Sequence, residues 1–171
     1  MQDSLSILLP VYNTQSTLTA QVMRILEVAG ELTDQLQVVI IDNGSLDHTL
    51  EVAYDLSIRF PQVDVIRSNK RYGARLAIEV HQQRIVGDVV MLHRELDAES
   101  VVQLAGMMRL WNARWNREGR QAETIRRQGS WLALSKTAIG TTQFRADPLE
   151  LDRSPGRPNF LTRIRDFALG E

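Results

Sequence analysis

The chain has no cysteine among its 171 residues, and this absence excludes both a disulfide framework and a metal site built from thiolates. It also has no apolar run long enough to span a bilayer. Met1 leads directly into a predicted strand, without the pattern of a signal peptide. We therefore expect one domain over residues 1–171, located in the cytoplasm and without a transmembrane segment.

Neither sign of charge dominates, because 20 lysine and arginine residues face 21 aspartate and glutamate residues and the net charge is −1. This balance argues against a nucleic-acid partner, which would favour a basic surface. Lysine is scarce, since 18 of the 20 basic residues are arginine. A guanidinium suits phosphate and carboxylate better than an ammonium does, although genome composition is the explanation that we favour for this bias.

Apolar runs alternate with helical periodicities through the first half of the chain. Strands are predicted at residues 5–9, 38–41, 63–66 and 89–92. The helices between them are marked in turn by Leu18, Val22, Ile25, Leu26 and Ala29, then by Leu50, Ala53 and Tyr54, and then by Leu76, Ala77 and Val80. Gly30 and Pro61 are predicted to end the first and second helices. This alternation predicts an α/β fold with a mainly parallel sheet covered on both faces.

Polar motifs follow three of these strands, at the edge where parallel sheets bind ligands. They are Pro10-Val11-Tyr12-Asn13, Asp42-Asn43-Gly44-Ser45-Leu46-Asp47 and His93-Arg94-Glu95. Pro10 has no N–H to donate and is predicted to end the first strand. Asp47 is predicted to cap the following helix rather than to contact a ligand.

In this order and strand context, the motifs resemble those of the family-2 glycosyltransferases, which take a sugar from a nucleoside diphosphate sugar on a GT-A fold. The family patterns are Pro-Val-Tyr-Asn-Glu, Asp-Asp-Gly-Ser-x-Asp and Gly-Asp-hydrophobic-Leu-Asp-x-Asp. The resemblance covers roughly the first hundred residues. It implies a nucleotide-binding half at residues 1–96, a reduced acceptor-side half at residues 97–171, a UDP- or GDP-linked donor and an unknown acceptor.

The resemblance places nucleotide contacts on the first two motifs, at Pro10, Val11, Tyr12, Asn13, Asp42 and Asn43. Asp42 would accept a hydrogen bond from the N–H of a pyrimidine ring, and such a contact discriminates because an unpaired buried group is costly. Asn43 replaces the second family aspartate, which keeps an acceptor and removes the charge. Thr14 likewise stands where the family has an acidic residue.

Residues 69–74 resemble a family segment, Asn-x-Gly-x-Gly-x, that approaches the nucleotide with little side chain in the way. Gly73 is retained, whereas Arg71 occupies the first glycine position. Two interpretations stay open: the arginine fills or remodels the pocket, or it contacts phosphate. Both Arg71 and Gly73 are predicted nucleotide-binding residues.

His93-Arg94-Glu95 stands where the family has Asp-x-Asp, which holds Mg²⁺ or Mn²⁺ against the diphosphate. His93 and Glu95 could still hold a metal, and an imidazole suits Mn²⁺ better than Mg²⁺. Alternatively, Arg94 could neutralise the diphosphate without any metal. His93 and Arg94 are therefore predicted nucleotide contacts. In the third interpretation the site is inactive, and the protein is a homologue that binds a ligand or a partner.

The second half carries fewer signals. A long helix is predicted after Asp97, residues 119–128 are polar and arginine-rich, and a strand is predicted at residues 130–135. The apolar stripe of the helix, with Trp111 and Trp115, would be left uncovered by a short acceptor half, which favours a homodimer. No catalytic base is identified.

Overall fold

The computed structural model describes residues 4–31, 33–68, 74–87, 89–93, 106, 125–128, 131–136 and 139. The elements within these ranges are β1 (Leu5–Val11), α1 (Leu18–Gly30), β2 (Leu36–Asp42), α2 (Thr49–Arg59), β3 (Val63–Arg67), α3 (Ala74–His81), β4 (Val89–His93), β5 (Ile125–Gln128) and β6 (Trp131–Ser135). A 3-10 turn (Gln82–Arg84) follows α3. Among the described residues, no helix has the length and apolar character that a membrane crossing requires.

The strands form one sheet in the order β3-β2-β1-β4-β6-β5. Within it β1 to β4 pair in parallel, as predicted, while β6 pairs antiparallel with β4 and β5. The chain moves outward from β1 to β3 and then crosses to the other side of β1. A crevice therefore opens beyond the carboxyl ends of β1 and β4, where the strand order reverses.

The core forms because β1 is central and has to be covered on both faces. One face packs against α1 and α2, in a cluster that includes Ile7, Leu9, Val38, Ile40, Leu18, Val22, Ile25, Ala29, Ala53 and Leu56. The right-handed crossover from β3 to β4 places α3 on the opposite face, where it packs against β1. The predicted inward face of α1 is confirmed, and α1 ends at Gly30 as expected.

Two sequence predictions need correction. Among the residues of α3 whose side chains the structure describes, Ile78 has no exposed surface, whereas Val80 is 53% exposed. The helix has several neighbouring apolar positions, so its periodicity alone did not show that Ile78 points inward and Val80 outward. In the second half, the strand predicted at residues 130–135 is confirmed as β6, but the arginine-rich stretch before it contains β5. Pairing with β6, rather than an apolar pattern, stabilises β5.

Other predictions for the second half fall largely outside the described residues. Gly106 is in helical conformation, in agreement with the helix predicted after Asp97, but the apolar stripe with Trp111 and Trp115 is not among the described residues. The homodimer and the division at residues 96 and 97 stay predictions.

A buried polar network joins β1 and β2 to the segment that enters β4. The Ser6 hydroxyl donates to Gln37 Oε1 at 2.6 Å and accepts the Gly87 N–H at 2.9 Å. Gln37 Oε1 also accepts the Val86 N–H at 3.1 Å. Ser6 and Gln37 are both buried, so these bonds satisfy groups that would otherwise be costly to remove from water.

The amide nitrogen of Gln37 completes the network toward β3 and the 3-10 turn. It donates to Asp64 Oδ2 at 2.8 Å and to the Arg84 carbonyl at 2.9 Å. Arg84 also lies 3.9 Å from the Asp64 carboxylate. One glutamine side chain thus holds the connection that positions β4 beside β1.

Gly87 approaches β1 more closely than any other residue type could. A Cβ atom at this position would lie 2.4 Å from the Ser6 nitrogen and 2.7 Å from the Leu5 carbonyl carbon. Both are backbone atoms of a central strand, so neither can move aside. The position therefore requires a residue without a side chain.

Gly87→Ala is expected to lower the free energy of unfolding by about 1–3 kcal/mol or more, because the added methyl group overlaps the β1 backbone. Gly30→Ala is the control, since a Cβ at this exposed helical position meets nothing within 4 Å, and stability should be unchanged or rise by up to about 1 kcal/mol. Urea unfolding of both variants measures the difference. Equal unfolding midpoints for Gly87→Ala and the unchanged protein would contradict the packing argument.

Candidate functional site

The first two motifs meet at the carboxyl edge of the sheet because β1 and β2 end at the same level, with Val11 opposite Asp42. Pro10 was predicted to end the first strand, but β1 continues through Val11. A proline removes one donor only, and the Val11 carbonyl still accepts the Asn43 N–H at 2.9 Å.

The loops that follow the two strands interlock through bonds between side chains and backbone. The Asn13 N–H donates to the Ser45 hydroxyl at 3.0 Å, and Asn13 Oδ1 accepts the Leu46 N–H at 2.8 Å. The Thr14 N–H donates to Thr49 Oγ1 at 2.7 Å. Asn13 has a positive φ of 54°, which asparagine tolerates better than most residues. The two motifs therefore form one connected unit.

Asp47 and Gln15 extend this connection to the start of α2. The Gln15 N–H donates to Asp47 Oδ2 at 3.3 Å, and Gln15 Oε1 accepts the His48 N–H at 2.8 Å. Asp47 Oδ1 accepts the N–H of Thr49, the first residue of α2, at 3.0 Å. Burial acts to raise the pKa of Asp47, but the bonds from Thr49 and Gln15 outweigh it and hold the pKa below its ordinary value. This supports the predicted structural role of Asp47 at the helix start.

Of the predicted nucleotide contacts whose side chains the structure describes, Asp42 is the most deeply buried, with 1% of its surface exposed. Its Oδ1 accepts the Ser45 N–H at 3.2 Å, and its main-chain carbonyl accepts the Ser68 N–H at 2.9 Å. Asn43 beside it is half-buried. In so enclosed a place a hydrogen bond to the carboxylate is stronger than in water, and a mismatched group is more costly.

Tyr12 and Thr14 lie on the loop that leaves β1. Tyr12 is half-buried, and its predicted contact with the nucleotide stays a prediction. The Thr14 hydroxyl is buried and, among the described residues, has no hydrogen-bond partner. Threonine thus replaces the family's acidic residue at a point that has little access to water.

Two residues at the end of β3 were missed by the sequence analysis. Arg67 is exposed and lies directly opposite Asp42 in the pairing of β2 with β3. Ser68 follows it, is buried, and places its hydroxyl 3.5 Å from His81 Nε2. Both come directly after a predicted strand, as the recognised motifs do, and that position was the signal available for finding them.

At the fourth strand, the structure describes the backbone of His93, which ends β4 opposite Trp131 of β6. In the register of β4 against β1, Leu92 pairs with Leu8, so β1 extends beyond β4 at the crevice. Arg71, Gly73, Arg94 and Glu95 lie outside the described residues. Within the described ranges, no three His, Asp or Glu side chains are grouped so that they could hold a metal ion.

The pKa of His81 is lowered by burial and, to a smaller extent, by the positive charge of Arg84. Because the unfolded chain binds this proton more readily, the contribution to stability is complete above about pH 6.5 and is lost as pH falls through the folded pKa. His81→Gln is therefore expected to flatten the decline in urea-unfolding midpoint between about pH 8 and pH 5. The exposed His48→Gln should keep the decline, and a slope in His81→Gln equal to that of the unchanged protein would contradict the assignment.

Asn13→Ala is expected to lower the free energy of unfolding by about 1–2 kcal/mol, because it removes the acceptor of the Leu46 N–H and places alanine at a positive φ. Asn13→Asp keeps an oxygen acceptor and tolerates the same backbone, so it should stay near the unchanged protein. Thermal and urea unfolding compare the two. If both variants are equally stable, the bond from Leu46 does not hold the loops together.

A comparison with family models matches residues 6–93 to the description "Glycosyl transferase family 2". One curated relative is the undecaprenyl-phosphate 4-deoxy-4-formamido-L-arabinose transferase of Edwardsiella ictaluri, which is 30% identical over 95 residues. That alignment covers 55% of this chain and 28% of the relative. The chain thus spans less than a third of the length of the curated relatives that it matches.

Two solved structures resemble the chain over a longer stretch. Mannosyl-3-phosphoglycerate synthase from Rubrobacter xylanophilus aligns with a TM-score of 0.53 and 14% identity, over 79% of this chain and 54% of that one. Glucosyl-3-phosphoglycerate synthase from Mycobacterium tuberculosis, solved with Mn²⁺, UDP and phosphoglyceric acid, aligns with a TM-score of 0.50 and 17% identity, over 79% of this chain and 56% of that one. At such identities the likeness concerns the fold, which is the predicted GT-A type of α/β fold.

Proposed function

Since the family model covers just over half of its length, the chain belongs to glycosyl transferase family 2, and from this we propose that it binds a UDP- or GDP-linked sugar at the carboxyl ends of β1, β2 and β4. The observation that carries the proposal is the buried carboxylate of Asp42, which ends β2 at the level of Val11 and is enclosed by two interlocked loops. A fixed acceptor in an enclosed place is suited to recognise one N–H of a base.

The base would lie over the ends of β1 and β2. There Asp42 would accept the ring N–H, while the backbone of Pro10, Val11 and Tyr12 and the side chain of Asn43 would border the base and ribose. The loops need little reorganisation for this, since five bonds between side chains and backbone already join them. Such preorganisation reduces the entropy lost on binding. Asn13 would contribute through its backbone, because its side-chain oxygen is used by Leu46.

The diphosphate would lie toward β4, on the other side of β1. His93 at the end of that strand, followed by Arg94 and Glu95, would contact it, together with Arg71 and Gly73 from the loop before α3. One imidazole and one carboxylate form a donor set that fits Mn²⁺ better than Mg²⁺, and the bound cation would offset the negative charge of the diphosphate. The Mycobacterium tuberculosis structure, which has the same fold, holds Mn²⁺ and UDP, and this supports a divalent cation beside the diphosphate.

Transfer of the sugar to an acceptor is the activity that the family implies. It requires a carboxylate to take the proton of the acceptor hydroxyl, and such a base is not identified among the described residues. Several curated relatives are named as undecaprenyl-phosphate sugar transferases, and these names support transfer of a sugar as the activity. The alternative is a homologue that retains binding and has lost turnover.

Calorimetric titration with UDP, GDP and their common sugar conjugates, first with Mn²⁺ and then with EDTA, tests the proposal. Binding that needs Mn²⁺ would support a metal held by His93 and Glu95. Binding that survives EDTA and is lost in Arg94→Ala would support neutralisation by arginine. Absence of binding to every nucleotide would overturn the proposed function. Release of the nucleoside diphosphate on addition of an acceptor would distinguish a transferase from a binding module.

Asp42→Asn is expected to weaken binding of the preferred nucleoside diphosphate about tenfold or more, because the charged acceptor of a buried hydrogen bond is lost. Asparagine keeps an oxygen for the Ser45 N–H, so the loop should remain folded. Asp55→Asn, on the exposed face of α2, is the matched control and should bind normally. Unchanged affinity in Asp42→Asn would show that the carboxylate does not contact the ligand.

A further inference from the structure

A groove of about 420 Å³ opens at the amino edge of the sheet, the edge opposite the candidate nucleotide site. It lies between the end of α1 and the connection from α2 to β3. Four apolar side chains line it, and they are Met23, Leu26, Leu36 and Phe60. None of these four is fully buried, and Met23 is 46% exposed. The groove is thus an open apolar surface at a place that the proposed function does not use.

The charges around this groove are mainly negative. Asp34 lines the groove and, within the described ranges, forms no ion pair, while Glu31 is exposed at the end of α1. Glu27 already pairs with Arg24 at 2.6 Å, so it contributes less. The carbonyl ends of α1 and α2 carry partial negative charge at this edge. Arg59 lies in the last turn of α2, but the last turn of α1 has no basic residue.

Residues 159–169, which lie outside the described residues, have the complementary pattern in their sequence. Their apolar residues recur at helical spacing, and these are Phe160, Leu161, Ile164, Phe167 and Ala168. At about 100° per residue, Arg163 and Arg165 fall on either side of this apolar stripe. Asp166 falls on the opposite face. The pattern is typical of an amphipathic helix whose apolar face is flanked by guanidinium groups.

The last described strand ends at the edge where the groove lies. β6 runs antiparallel to β4 and ends at Ser135, opposite Val89, the first residue of β4. In the same row β1 starts opposite Val89, and β2 starts opposite β1, at Leu36 of the groove. Three strand spacings of about 4.8 Å therefore separate Ser135 from Leu36, which is roughly 14 Å. Residues 140–158 can span up to about 60 Å when extended, so residues 159–169 can reach the groove.

We propose that residues 159–169 of the same chain bind in this groove, with their apolar stripe against Met23 and Phe60. One of the flanking arginines would then lie beside Asp34 and the carbonyl end of α1. The contact would remove apolar surface from water on both sides and would supply the basic group that the last turn of α1 lacks. Because the groove is at the far edge of the sheet, the inference goes beyond the proposed function and does not depend on it.

Thiol labelling of the full chain tests the inference, because the chain has no cysteine and one introduced thiol reports on one position. Met23→Cys places the thiol in the groove, and Leu46→Cys, at a position that is 86% exposed in the loop before α2, is the control. A maleimide should react at least about tenfold more slowly in Met23→Cys than in Leu46→Cys. Adding Ile164→Asp should bring the first rate close to the second, because burying an unpaired carboxylate opposes docking.

Asp34→Lys tests the charges separately at an exposed position, where the fold does not depend on the side chain. Added to Met23→Cys, it should speed the reaction about two- to fivefold. Arg163→Asp or Arg165→Asp should then restore the slow reaction, because the signs of the pair are exchanged. Urea unfolding should show these variants to be folded under the labelling conditions.

Three outcomes would overturn the inference. The first is a fast reaction in Met23→Cys, equal to that in Leu46→Cys. The second is a slow reaction that neither Ile164→Asp nor Asp34→Lys changes. The third is protection that disappears on dilution, which would assign the groove to a second copy of the chain. Nucleotide binding is measured independently of all three, so the proposed function would stand or fall by its own titration.

Discussion

The parallel register of β1 against β2 is the constraint on which the rest of the structure depends, at both the amino and the carboxyl edge of the sheet. It runs from Leu5 opposite Leu36 to Val11 opposite Asp42, and it brings Ser6 beside Gln37 at the amino end. A slip by one residue would turn every side chain of one strand to the other face. Asp42 would then leave the crevice, and the buried Ser6–Gln37 bond would be broken. The polar network and the candidate site are therefore consequences of the same pairing.

The amino-end network extends this constraint to the third motif. Gln37 bonds the segment before β4, and Gly87 lies against the backbone of Leu5 and Ser6. Because no side chain separates them, β4 enters the sheet at a fixed height beside β1. The end of β4, where His93 lies, is thereby positioned from the far side of the sheet. The close approach of Gly87 to the β1 backbone is a packing reason for a glycine before this strand, and it does not depend on any ligand.

Several polar residues of the motifs build the loops themselves. Asn13, Ser45 and Asp47 bond the opposite loop or the start of α2, so their polar atoms stabilise the frame. Asp42 lies beside this frame, buried at the end of β2, and its carboxylate accepts the Ser45 N–H. A polar residue within a binding motif is thus not necessarily a binding residue. Loops that are already joined before a ligand arrives are preorganised, which favours selective binding.

The sequence by itself determined the elements whose signals are local. Four strands, the inward face and the glycine end of α1, and the order of the motifs follow from periodicity and from turn residues within a few positions of one another. Tertiary structure alone decided the pairing of Arg67 with Asp42 and the contact of Ser68 with His81. It also decided that Ile78 is buried while Val80 is exposed, and that β5 forms. Each of these depends on a partner that is distant in the chain or on the face that a neighbouring element covers. Periodicity records where apolar residues recur but not what lies opposite them, which is why this information appears only when the sheet is assembled.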